Sequence, residues 1–100
     1  MYKGNIKKRV SKYLIRLKRG DKCLNEFINT AHYYVQGVVS AYLYDRSYVD
    51  DAVVNTFNRI IDKISLYDGS DKGLAWVYKI AQNEARRINA GLPRNVVSLD

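Results

Sequence analysis

Cysteine and proline each occur once in these hundred residues, and glycine six times. A lone Cys23 excludes an internal disulfide and points to a reducing compartment. Internal repeats and low-complexity runs are absent, so the composition describes one globular domain. No run of about twenty apolar residues exists, which argues against a membrane span. The first residues are charged but lack the continuous apolar stretch of a secretory signal. Acidic residues are missing altogether from positions 1–20. That stretch holds Lys3, Lys7, Lys8, Arg9, Lys12, Arg16, Lys18 and Arg19, a charge of +8. Residues 21–100 hold nine basic and ten acidic side chains, so the overall +7 belongs to an N-terminal arm. A basic total invites nucleic acid as a partner, but the remainder of the chain is nearly neutral.

What is present is helical periodicity, in four patterns, with no convincing strand. Ile6, Val10, Tyr13, Leu14 and Leu17 recur at helical spacing in a first helix over about 5–19, which Gly20 stops. A second starts near Asp21, with Leu24, Phe27, Ile28, Ala31, Val35, Val38, Val39 and Tyr42 on one face. A third opens with Ser47-x-x-Asp50, a capping-box-like start with Asp replacing the usual Glu. It carries Val53, Thr56, Phe57, Ile60, Ile61 and Ile64 inward. The fourth, "LAWVYKIAQNEARR" (74–87), is preceded by "YDGSDKG" (67–73) and closed by Gly91 and Pro93. The β-branched residues of the third pattern favour strands weakly, and their i, i+3, i+4, i+7 spacing outweighs that. The expectation is an all-α, compact four-helix domain over residues 1–91, with 92–100 as a linker or frayed tail.

Catalytic chemistry finds no footing. Asp50 and Asp51 are adjacent, so on a helix they point about 100° apart and cannot act as a pair; acids at a helix N-terminus explain them. His32 has no second His or Cys at metal spacing. Cys23 has no recognisable base partner and reads as a small packing residue. The expectation is a non-enzyme without metal or cofactor. Nine tyrosines, five of them between Tyr33 and Tyr48, could stack on bases. Packing at the core's edge with hydroxyls reaching water is the favoured account.

On the fourth pattern, Leu74, Val77, Ala81, Ala85 and Ile88 gather on one side of the wheel. Trp76, Lys79, Asn83, Arg86 and Arg87 gather opposite. The ordered string Trp76-Val77-Tyr78-x-Ile80-Ala81-x-Asn83, with "YVDDAVVNTFNRIIDKISLYD" before it, resembles the first helical domain of bacterial extracytoplasmic-function sigma factors. The likeness runs over about residues 13–90. It implies a compact helical domain that binds core RNA polymerase and helps to melt promoter DNA.

Residue by residue, the resemblance implies two faces. The helix matching 48–66 would dock on the clamp helices of the polymerase's largest subunit. Asp51, Asn55, Asn58 and Asp62 lie opposite Val53, Phe57, Ile60 and Ile64 and form that polar face. The helix matching 74–87 would contact the single-stranded minus-ten element, and the loop before it would capture an unstacked base. Lys79, Asn83, Arg86 and Arg87 suit phosphates and base edges. Asp68, Ser70 and Lys72 suit a base pocket. Trp76 supplies a stacking plane or packs at the core's edge. The chain departs from the family's pattern at Val54-Asn55, where Gln-Glu is common, and at Arg87, where an acid is frequent. It departs again at Ala90-Gly91-Leu92-Pro93, which replaces an arginine cluster. The family's second domain, a helix-turn-helix, has no counterpart here.

The expected function is a cytoplasmic transcription-initiation module whose partners are core polymerase and promoter DNA. The alternative is a sigma-like interaction module that binds polymerase or an anti-sigma factor without reading DNA. A third reading places Lys8, Lys12, Arg16 and Arg19 of the first helix on a membrane surface. Burial of its small apolar face against the second helix argues for no membrane.

Overall fold

The computed structural model describes residues 5–92. The readings at Pro93 and over most of the 92–100 tail therefore lie outside the described residues. Four α-helices follow one another: α1 (Asn5–Lys18), α2 (Leu24–Tyr42), α3 (Val49–Lys63) and α4 (Gly73–Gly91). Single 3-10 turns at Arg46–Tyr48 and Ile64–Leu66 lead into α3 and out of it. The described residues contain no strand, and none of their helices is long and apolar enough to cross a membrane. The all-α architecture agrees with the periodicity.

The helices exist because each carries an apolar stripe that the others cover. Val10 and Leu14 of α1, Phe27, Ala31, Val35 and Val39 of α2, and Ala52, Phe57 and Ile60 of α3 are buried together. Val77, Ile80, Ala81 and Ala85 of α4 complete the core. Phe27 and Phe57 meet edge to face, ring centroids 5.7 Å apart, and tie α2 to α3. Fully burying a side chain of this size contributes about 1.5–3 kcal/mol.

The chain ends its helices by identifiable chemistry. Gly20, at φ +92°, turns the chain out of α1. Its N–H donates to the Leu17 carbonyl (3.0 Å), and the Asp21 N–H donates to that of Arg16 (3.0 Å). This pair of bonds is a Schellman closure, which favours glycine at the left-handed position. Asn89 closes α2 from a distance. Its side-chain amide donates to the Tyr42 carbonyl (2.8 Å) and accepts from the Tyr44 N–H (2.9 Å).

Three local expectations need correction. The second helix begins at Leu24, not near Asp21. The Asp21 carboxylate accepts from Arg16 Nε at 3.3 Å, and its carbonyl accepts from the Cys23 N–H at 3.1 Å. Asp21 thus belongs to the turn. Ser47 does not cap α3 either. It lies inside the 3-10 turn, where the Asp45 carboxylate accepts from both its N–H (3.0 Å) and its hydroxyl (2.7 Å). Asp50 and Asp51 remain in the first turn of α3, where the helix dipole favours them. Finally, Ile61 is 42% exposed. One residue beyond Ile60 turns 100° about the axis, which carries Ile61 past the edge of the buried stripe.

The start of α4 is built on α1. The Gly73 N–H donates to Ser11 Oγ at 3.0 Å, so a side chain 62 residues earlier satisfies an open donor of the helix. A Cβ at Gly73 would lie 2.7 Å from Ser11 Oγ and 2.9 Å from Ser11 Cα. Only glycine permits this approach.

Candidate functional site

Asp51, Asn55, Asn58 and Asp62 are all exposed along one side of α3. Val54, 58% exposed, and Ile61 interrupt the polar surface with apolar ground. Arg87 of α4 reaches this face. It lines a shallow depression of about 250 Å³ together with Asn55, Asn58, Arg59 and Asp62. The two helices therefore share one continuous surface.

At the base of that depression is a residue the sequence reading missed. Glu84 is only 2% exposed. Its carboxylate accepts from Arg59 Nε at 3.1 Å and lies 3.6 Å from Arg87 Nε. A buried carboxylate is costly unless paired, and here two guanidinium groups supply the partners. Glu84 falls among Ile80, Ala81, Ala85 and Ile88 on the wheel, and an acid on that stripe was the available signal.

Lys79, Asn83, Arg86 and Arg87 are exposed on α4. They do not share one environment. The Arg86 guanidinium lies over the Tyr42 ring, 5.6 Å from its centroid, and so leans toward α2. Arg87 leans toward α3 through Glu84. Among the described residues, Lys79 forms no ion pair and Asn83 makes no side-chain hydrogen bond. Trp76 is partly buried, packed against the core with its ring centroid 5.1 Å from that of Tyr67. It stands about 16 Å along the helix axis from Arg87, at 1.5 Å per residue.

The loop before α4 is braced from within. Tyr67 is fully buried, and its hydroxyl donates to the Ser70 carbonyl. Lys18 of α1 donates to the Tyr67 carbonyl. Asp68 Oδ1 accepts from the Ser70 N–H (2.9 Å) across Gly69, whose φ is +79°. Ser70 Oγ accepts from the Lys72 N–H at 3.1 Å. The bond from the Ser70 N–H is the main reason that the Asp68 carboxyl lies below its ordinary pKa. Asp68 and Ser70 thus shape the turn, while Asp71 and Lys72 are exposed beside it.

Tyrosine hydroxyls behave in two ways. Tyr42 and Tyr78 bond to each other at the core's edge, and that bond raises Tyr78 above the ordinary tyrosine range. Tyr33 and Tyr44 are largely exposed. His32 is partly buried with its ring edge-on to Tyr33, and Cys23 is fully buried. Among the described residues, no three His, Cys, Asp or Glu side chains approach closely enough to hold a metal ion.

Comparison with protein-family models, curated proteins and solved structures finds no match to this chain.

Proposed function

We propose that the chain is a cytoplasmic transcription-initiation module of the sigma-factor type, which binds core RNA polymerase and engages the single-stranded minus-ten element. The observation that carries the reading is the string from Trp76 to Asn83. Its polar members Lys79 and Asn83 point outward on α4, and Trp76 stands directly after a loop shaped by Asp68, Gly69 and Ser70. An aromatic plane beside exposed cation and amide groups is the equipment that single-strand binding uses. The polar face of α3 supplies a separate surface for a protein partner. In this reading Asp51, Asn55, Asn58 and Asp62 meet the polymerase, and no cofactor takes part.

The test is capture of purified bacterial core polymerase by the chain, paired with anisotropy on a labelled minus-ten-like single strand. Asp51→Arg combined with Asn55→Arg is expected to weaken capture at least tenfold. The melting temperature should fall by only a few degrees, because both sites are exposed and the charge reversal in the first turn of α3 costs about 0.3–1 kcal/mol. Full capture by the double variant would remove α3 from the docking assignment.

A second reading, a polymerase-binding or anti-sigma-binding module that does not read DNA, has one observation in its favour. Arg86 and Arg87 are both engaged within the fold, by Tyr42 and Glu84. Core capture without single-strand binding is the outcome that selects it.

A further inference from the structure

The strongest concentration of charge lies on α1 and the turn after it, across from the loop that precedes α4. Lys8, Lys12 and Arg16 occupy one side of α1, opposite Val10 and Leu14, and Arg19 follows in the turn just after it. They line an open groove of about 560 Å³ whose other wall is the turn at residues 69–71. Ser11 and Ile15 line the groove between them. The groove also holds two carboxylates. Asp21 is held by Arg16, and Asp71 stands on the opposite wall. Lys8, Lys12 and Arg19 form no ion pair with any described carboxylate. The groove therefore carries a net charge of +2 with three unneutralised cations.

We infer that this groove holds the sugar–phosphate backbone of a single-stranded nucleic acid, with Lys8, Lys12 and Arg19 meeting successive phosphates. The inference deepens the single-strand reading above by stating where the strand's backbone runs. Three features select this ligand. Lys8 and Lys12 lie about 6 Å apart along the helix axis, at 1.5 Å per residue, near the spacing of neighbouring phosphates in a strand, and Arg19 follows just beyond the end of α1. The turn that walls the groove belongs to the loop whose Tyr67 packs on Trp76, so the groove and the stacking plane flank one loop. The apolar side of α1 is already consumed by the core, with Val10 and Leu14 fully buried. A lipid surface would need that side free, because surface-bound helices insert an apolar face.

The experiment uses the whole chain and a labelled oligo-dT, which carries no promoter sequence. Affinity is measured by anisotropy between about 50 and 200 mM salt, where a phosphate contact to a single strand contributes about 0.7 to the log–log slope. Lys12→Gln with Arg19→Gln is expected to lower the slope by about 1.4. The control, Arg46→Gln with Lys63→Gln, removes the same charge at residues that do not line the groove and is expected to leave the slope within about 0.3 of the parent. Both pairs are exposed, and circular dichroism melting checks that each variant folds as the parent does.

An unchanged slope, an equal fall in both variants, or no binding of oligo-dT by the parent overturns the inference. So does binding to phosphatidylserine vesicles without binding to oligo-dT. Core-polymerase capture by the parent separates this inference from the proposed function. Capture with an unchanged slope removes the groove alone. A lowered slope without capture keeps the groove and removes the polymerase.

Discussion

Trp76 shows how one residue can be placed by the core and still face outward. Its ring rests on Tyr67, so truncation removes packing as well as any stacking plane. A fully buried aromatic cut to alanine costs about 3–5 kcal/mol. Because Trp76 is only partly buried, Trp76→Ala is expected to cost about 1–3 kcal/mol of stability by chemical denaturation. Single-strand affinity, measured at a temperature where the variant is folded, should fall by about 1–3 kcal/mol as well. A fully folded variant with parental affinity would confine Trp76 to packing. Glu84 makes a different case. Its partners are 37% and 64% exposed, so they can return to water when the carboxylate is lost. Glu84→Gln, which keeps the shape and removes the charge, is expected to cost about 1–2 kcal/mol, less than a wholly buried pair would. Melting curves read this directly, and a cost above about 4 kcal/mol would mean that the arginines cannot relax.

At the scale of the helices, the sequence was legible where structure depends on neighbours in the chain. Val53, Phe57, Ile60 and Ile64 share a face because of helical spacing alone, and so do Asp51, Asn55, Asn58 and Asp62. It was illegible where a bond joins distant residues. Ser11 satisfies the start of α4, Asn89 closes α2, and Arg59 pairs with Glu84, across 62, 47 and 25 positions. No periodicity encodes such pairings. The misread helix starts have a local cause, since Asp21 and Ser47 are both good caps whose side chains are taken up in turns. The contact of Ser11 with Gly73 fixes how closely α4 approaches α1, and it is the place to perturb that approach. Gly73→Ala would force a methyl group against Ser11 Oγ and backbone. Overpacking of this kind costs about 1–3 kcal/mol, and thermal melting should show it. Ser11→Gly in the same chain should not recover the loss, since Ser11 Cα and Leu14 Cδ1 would still lie 2.9 Å from the added methyl and the bond to the helix start is gone. Absence of any loss in Gly73→Ala would mean that α4 can slide along α1.

For the whole molecule, the question is whether α1 is an appended basic arm or a load-carrying quarter of the fold. Its charge suggests the former, since eight cations and no acid occupy positions 1–20. Its packing states the latter. Val10 and Leu14 are fully buried, Ile6, Ile15 and Leu17 pack against the core, Lys18 braces Tyr67, and Ser11 caps α4. Burial of each large apolar side chain contributes about 1.5–3 kcal/mol, so these five together reach about 5–10 kcal/mol even with three of them partly exposed. That is comparable with the whole stability of a domain this size, about 5–15 kcal/mol. Removal of residues 1–19 is therefore expected to abolish cooperative unfolding and to yield a partly helical, self-associating product. Circular dichroism melting and sedimentation would read both. A monomeric product with a cooperative transition would assign α1 to the arm, and the core would then have to close over Phe27, Tyr67 and Val77 without it.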